Sequence, residues 1–425
     1  MSTKAFKACL TDTVLLKRFL AVIVGLLVFR LLTSIPIPQI SEAALTSLLY
    51  QNQILGVFNL FSGGGLSNFS IAMLGVFPYI TVSIVVQLLT SVSPRLHSLY
   101  HEEGDVGRRK IGQWSRIATV PVAALNAGGI LLYFQSQGVI PSMPIPDMAM
   151  TILLIVTGCM LSMWIGELMT EFGIGNGISM IIFAGIVVNI PTLITQVTAT
   201  YSPDLLLSYA LGFIGIVIGC MVAVWMNEAD RPVPITYARY GIGHGAHDRR
   251  VETYVPVKVN PAGVLPVIFS ITVAMFFQYI FRYLSEANVA VLQPIGLFVT
   301  EQLAQGYPYA LVVALATVFF TYFHTPIIFN TKKISDNLQK QGAFIPGVRP
   351  GEETESYFGT VLVRIIFYAA IFLAAIAALP FVITGSTAGT FIFAIGGTGA
   401  LIVVHVVLDV YRKITARVRD TLEMA

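Results

Sequence analysis

The chain has 425 residues, of which 56% are apolar and 11% charged, with a net charge of +3. Soluble domains carry about a quarter charged residues, and disordered chains combine low hydrophobicity with high charge, so this composition excludes both. What is left is an all-α polytopic membrane protein.

A helix crossing the hydrocarbon takes about 20 apolar residues. Ten runs approach that length: 19–35, 71–92, 117–134, 148–168, 178–197, 205–226, 263–283, 307–329, 360–382 and 390–410. Ahead of the first, Lys4, Lys7, Lys17 and Arg18 imitate a secretion signal. Arg30 interrupts the run and no small-residue cleavage site follows, which predicts an uncleaved first span. The connection 36–70 is long. It holds a short apolar piece (Ile54, Leu55, Val57, Phe58, Leu60, Phe61), then Ser62 and the glycines Gly63, Gly64 and Gly65. Too short to cross and followed by a hinge, it predicts a re-entrant half-helix over about 54–69. Such backbone is tolerated only inside protein or against a water-filled cavity. Pro121, Pro191, Pro266 and Pro326 fall inside or near later runs, where neighbouring helices can satisfy the freed carbonyls.

The basic residues alternate with the spans. Of the 25 Lys and Arg, 22 lie before the first run, after the tenth, or in loops 93–116, 227–262 and 330–359. The other three, Arg30, Arg282 and Arg364, lie in or at the ends of runs. The positive-inside rule puts both termini and all these loops in the cytoplasm. Ten spans divide into halves 1–200 and 201–425. Five crossings reverse the chain's side, so two similar halves are expected to be inverted relative to each other.

Nothing reads as an enzyme site, and no cofactor or metal is expected. There is no phosphate-binding loop. Gly241-Ile-Gly-His-Gly245 follows no strand, His244 and His247 read as a polar loop, and Cys9, Cys159 and Cys220 form no disulfide framework. Glu167 and Glu171 at i,i+4 read as a solvated helix end. His324 and His405 are single polar residues within runs and therefore functional suspects.

Several stretches, in order and on consistent sides of the membrane, resemble the SecY family of bacterial protein-translocase channels. They are Asn59-Leu-Phe-Ser-Gly-Gly-Gly65; Leu74-Gly-Val-Phe-Pro-Tyr-Ile80 with Gln87; Gly107-Arg-Arg-Lys-Ile111; Trp164-Ile-Gly-Glu167 with Gly173-Ile-Gly-Asn-Gly-Ile178; Lys258-Val-Asn-Pro-Ala-Gly263; Asp336-Asn-Leu338; Ile345-Pro-Gly-Val-Arg-Pro-Gly351; and Gly396-Gly-Thr398. The chain departs from the family at Arg231-Pro232, where two arginines are usual, at Phe276-Phe277, where Phe-Pro is common, and at Asn126, where glutamine is usual.

The resemblance implies ten transmembrane helices as two inverted five-helix halves around a central hourglass pore, in the bacterial cytoplasmic membrane. Unfolded polypeptides with signal sequences would cross it, and apolar segments would leave sideways into lipid. It implies a constriction ring at Val76, Ile80, Ile178, Ile182, Ile268 and Ile402, and makes the half-helix and its glycines the plug. It implies a lateral gate between spans two and three and spans seven and eight, with Thr81, Gln87, Asn126 and Phe276 at the seam. Docking is expected at Arg231, Arg239, Arg249, Arg250, Lys258 and Arg349. The implied partners are the small subunits SecE and SecG, the motor ATPase SecA, the ribosome with its rRNA, signal peptides and nascent chains, and membrane lipids. Inverted halves and broken helices also suit a secondary transporter of a small solute. The poverty of ionisable residues inside the spans favours the inert pore.

Overall fold

The computed structural model describes residues 12–38, 45, 55–56, 58–59, 62–101, 103–199, 206–237, 253–286, 292–299, 306–384 and 391–424. Helices dominate: α1 (Thr13–Ser34), α2 (Phe77–Val92), α3 (Pro94–His101), α4 (Gly104–Ser136), α5 (Ile145–Phe172), α6 (Gly177–Ala199) and α7 (Leu206–Glu228). After two strands, β1 (Asp230–Tyr237) and β2 (Thr253–Lys258), come α8 (Leu265–Glu286), α9 (Leu292–Phe298), α10 (Gly306–Ile328) and α11 (Thr331–Lys340). A short β3 (Ala343–Phe344), α12 (Glu352–Thr384) and α13 (Phe391–Met424) complete the order.

Each of the ten apolar runs falls on a helix, with one correction. The second run does not start its helix at 71. Residues 71–76 form turns, because Gly75 takes a positive φ of 52° and Pro78 follows just inside the new helix. Among the described residues, Gly104–Ser136, Ile145–Phe172, Gly306–Lys340 and Glu352–Val382 are each long and apolar enough to cross a membrane. The pair α2–α3, bent by 108°, is either a fifth, broken span or a re-entrant loop. The 22-residue α1 is long enough too, but it carries Lys17, Arg18 and Arg30.

The helices earn their place in lipid by satisfying polar groups internally. Asp12 caps α1, its carboxylate accepting from the amides of Val14 at 2.9 Å and Leu15 at 3.4 Å. Thr119, Ser162, Thr317, Thr321 and Thr325, all buried, donate to carbonyls four residues back on their own helices. Helix-to-helix contacts are mostly apolar. One core runs from α1 through α2, α4, α5, α6, α8, α10 and α12 to α13. Ser270 on α8 and Thr317 on α10 add a buried hydroxyl pair at 2.7 Å, beside the edge-to-face rings of Phe269 and Phe320.

The expectation of an all-α chain is corrected by a small sheet of order β2-β1-β3. β1 and β2 run antiparallel with Arg231 opposite Val257 and Val233 opposite Val255. β1 then pairs Thr236 with Phe344 of β3. Pro232 and Pro234 sit where β1 pairs with β2 alone, so neither needs an amide hydrogen on its far side. A second apolar core lies beneath the sheet: Val233, Ile235, Val257, Leu338, Ala343, Ile345, Phe358, Val361 and Ile365. The described parts of the two long basic loops are therefore one folded unit seated on the start of α12.

Candidate functional site

A cavity of about 320 Å³ lies where the starts of α6 and α8 meet α13 and the end of α10. Its deeper wall is Ile182, Ile268 and Ile402, which are almost fully buried. Its outer wall is polar: Asn176 and Ser179 at the start of α6, and His405, Asp409 and Lys413 on one stripe of α13. Asp409 and Lys413 pair at 2.8 Å. Three of the six expected ring residues thus share one cavity. Val76 and Ile80 are buried in the same apolar core, with Ile178 half-buried against it, but these three do not line the cavity.

The cavity's polar rim is tied to the base of the sheet. Arg412 donates to the Asn227 carbonyl and, at 2.8 Å, to Glu228. His405 Nδ1 and Asn227 Oδ1 lie 3.3 Å apart, and the imidazole packs on Gly263, whose φ is 64°. Lys258 lies at the same junction. Desolvation of its ammonium, and then the Arg412 guanidinium, push it below the usual lysine range.

Of the expected plug residues, Ile54, Val57, Leu60 and Phe61 lie outside the described residues. Leu55 and Phe58 are buried, and Phe58 meets Phe77 edge to face at 4.9 Å. Gly63 and Gly64 have φ of 73° and 79°, the left-handed region that the glycine hinge requires. From Ser62 on, the backbone forms hydrogen-bonded turns rather than helix. The segment is anchored rather than loose. Asn59 Oδ1 accepts from the Ser67 amide at 2.8 Å, and Asn68 donates to the Thr33 carbonyl at 3.3 Å. Arg30 Nη1 donates to the Gly63 carbonyl at 3.0 Å. In the sequence Arg30 is only an interruption of the first run. A lone cation within an apolar span was itself the signal, but its partner is 33 residues away and only the fold shows it.

Of the gate candidates, Thr81 and Asn126 are half-buried and donate to the carbonyls of Phe77 and Val122 on their own helices. The half-buried Gln87 accepts at its carbonyl from the Thr90 hydroxyl at 2.7 Å. The Phe276 side chain is outside the described residues. α8 touches α2, so helices from both expected sides of the seam do meet.

Among the docking candidates, Arg231 and Lys258 are exposed on β1 and β2, while Arg239, Arg249 and Arg250 lie outside the described residues. Arg349 is fixed through its backbone. Its amide donates to Glu353 at 3.2 Å, its carbonyl accepts from Thr354 at 2.8 Å, and Gly347 and Gly351 have positive φ. Its side chain is 88% exposed, 4.0 Å from Glu353.

A polytopic helical protein with an open pocket walled in part by three isoleucines is compatible with a channel, and comparison with known proteins gives the family. The chain has the fold of a structure described as that of a protein-conducting channel, with a TM-score of 0.64, 17% identity, and 95% and 92% of the two chains covered. A similar likeness, TM-score 0.59 at 17% identity over 95% and 92% of the chains, links it to Sec61 in the canine ribosome-channel complex from the endoplasmic reticulum. The sequence pattern of the SecY family matches residues 70–411. The protein translocase subunit SecY of Aquifex aeolicus (strain VF5) is 37% identical over 416 residues, covering 94% of this chain and 93% of its own length. The chain belongs to the SecY family. None of these likenesses supports a small-solute transporter.

Proposed function

We propose that the chain is a protein-conducting channel that passes unfolded polypeptides across the bacterial cytoplasmic membrane and releases apolar segments sideways into lipid. The observation that carries this reading is the cavity closed by Ile182, Ile268 and Ile402 beneath a polar rim. Such a wall offers a hydrated ion no coordinating group, and a narrow apolar constriction resists wetting. β-branched side chains can still close around an extended peptide without hydrogen-bonding it. In this reading Val76, Ile80 and Ile178 complete the ring, and the segment 54–69 is the plug that Arg30 holds from the external side. In the same reading ten spans form two inverted halves, 1–200 and 201–425, with both termini cytoplasmic. α2 and α4 open against α8 and α10.

The chain has no nucleotide-binding loop, so a motor must be supplied. The sheet and the Arg349 turn present Arg231, Lys258 and Arg349, exposed cations suited to the acidic or phosphate groups of such partners. SecA, the ribosome and the small subunits SecE and SecG are the partners this family reading brings. Reconstitution into lipid vesicles with a motor ATPase and a signal-bearing unfolded polypeptide is expected to give ATP-dependent protection of the polypeptide from protease. Protection that does not depend on the chain would contradict the reading.

A further inference from the structure

Glu167 stands at the inner end of α5, where the sequence suggests only a hydrated helix end. Its Oε1 accepts from two helices at once: from Arg116 Nε on α4 at 2.9 Å and from the Tyr79 hydroxyl on α2 at 3.3 Å. Tyr79 directly precedes Ile80. The neighbouring Gly166 lies against the first turn of α6, so closely that a Cβ there would be 3.0 Å from Ile178 Cγ1 and 3.4 Å from Ile181 Cδ1. One turn on, the Thr170 hydroxyl donates to the Gly166 carbonyl at 2.8 Å and accepts from the Gly177 amide at 2.9 Å, which caps the start of α6. A single turn of α5, residues 166–170, therefore grips α2 next to Val76 and Ile80, and α6 next to Ile178 and Ile182.

We infer that this turn is a bracket holding the two N-terminal pairs of the ring in register, with Glu167 its positioning residue. The inference rests on the ring reading above. The pair is not a buried ion pair: the Arg116 side chain is 50% exposed and that of Glu167 22%. An exposed pair of this kind contributes little to global stability. What it supplies is geometry, because one carboxylate oxygen fixes α2 relative to α4 through directional bonds. A helix end that is merely hydrated would tolerate any polar residue and would not care which helix carried the cation.

The test is the resting ion conductance of the purified channel in planar bilayers, at matched channel content. Glu167→Leu and Arg116→Glu are expected to raise it ~5-fold or more, a coupling of the size usual between linked sites. Tyr79→Phe, which removes one hydroxyl, should raise it in the same direction by less. The double exchange Arg116→Glu with Glu167→Arg should return it towards the parent value. Ile80→Asn in the ring is the reference. If Ile80→Asn leaks while Glu167→Leu and Tyr79→Phe do not, the bracket is wrong and the ring stands. If the exchanged pair leaks as much as Glu167→Leu, the pairing has no positioning role. If Ile80→Asn does not leak, the ring is refuted and the bracket with it. Tyr79→Phe keeps the test decisive should a charge variant fail to insert.

Discussion

Arg30 is a cation among apolar neighbours, and a charge in such a place persists only with a partner. The partner is the Gly63 carbonyl at 3.0 Å, at the point where positive φ turns the chain back. Gly63 is buried, so replacing Arg30 by Met leaves that carbonyl unpaired at a cost of about 1–3 kcal/mol. The expected result is a higher resting conductance with normal membrane abundance. Parent conductance from Arg30→Met would contradict the anchoring role. Arg349 makes the opposite case, a fixed backbone carrying an exposed guanidinium loosely paired with Glu353 at 4.0 Å. Lysine keeps the charge there and loses the two-pronged donor geometry. Arg349→Lys is expected to leave insertion and abundance unchanged and to slow motor-driven translocation several-fold. If both Arg349→Lys and Arg349→Glu translocate at the parent rate, the residue is only a topology charge.

Among the elements, the sheet was the least legible in the sequence. Val233 and Ile235 alternate as a half-buried strand should, and so do Val255 and Val257. Pro232, Pro234 and Pro256 hide the pattern, since proline argues against a central strand. The pairing to β3 joins residues more than 100 apart, which no local period reveals. The helices were legible because a 20-residue apolar run and alternating basic loops need no tertiary information. Gly75 is the exception, where one glycine delays α2 by six residues. The ring positions came from resemblance. Only the fold brings Ile182, Ile268 and Ile402, from three distant helices, around one cavity. The sheet gives its own prediction. Val233 is 1% exposed in the second core, and an unpaired carboxylate there costs several kcal/mol. Val233→Asp should leave membrane insertion intact, because the spans are unchanged. It should open 230–258 to protease and lower translocation about tenfold, a loss equivalent to roughly 1.4 kcal/mol. Parent protease resistance together with parent translocation would mean that the sheet is not the docking unit.

At the scale of the molecule, three features converge. The interior of the spans is apolar and poor in ionisable groups. A glycine-hinged segment lies buried between α1 and α2, fixed by directional bonds to α1. A folded unit carrying the sheet sits at one end, joined through Asn227, Glu228 and Arg412 to the helix that carries Ile402. In the proposed reading these three features are the seal, the stopper and the partner-facing handle of one conduit. The central claim, that a polypeptide passes between these isoleucines, is tested most directly by placing a photo-crosslinking side chain at 182, 268 or 402 in turn and arresting a signal-bearing polypeptide midway. Crosslinks are expected from all three positions to the arrested chain, lost when the signal sequence is removed. A polypeptide that is arrested and spans the membrane in the same vesicles, yet crosslinks from none of the three, would contradict it.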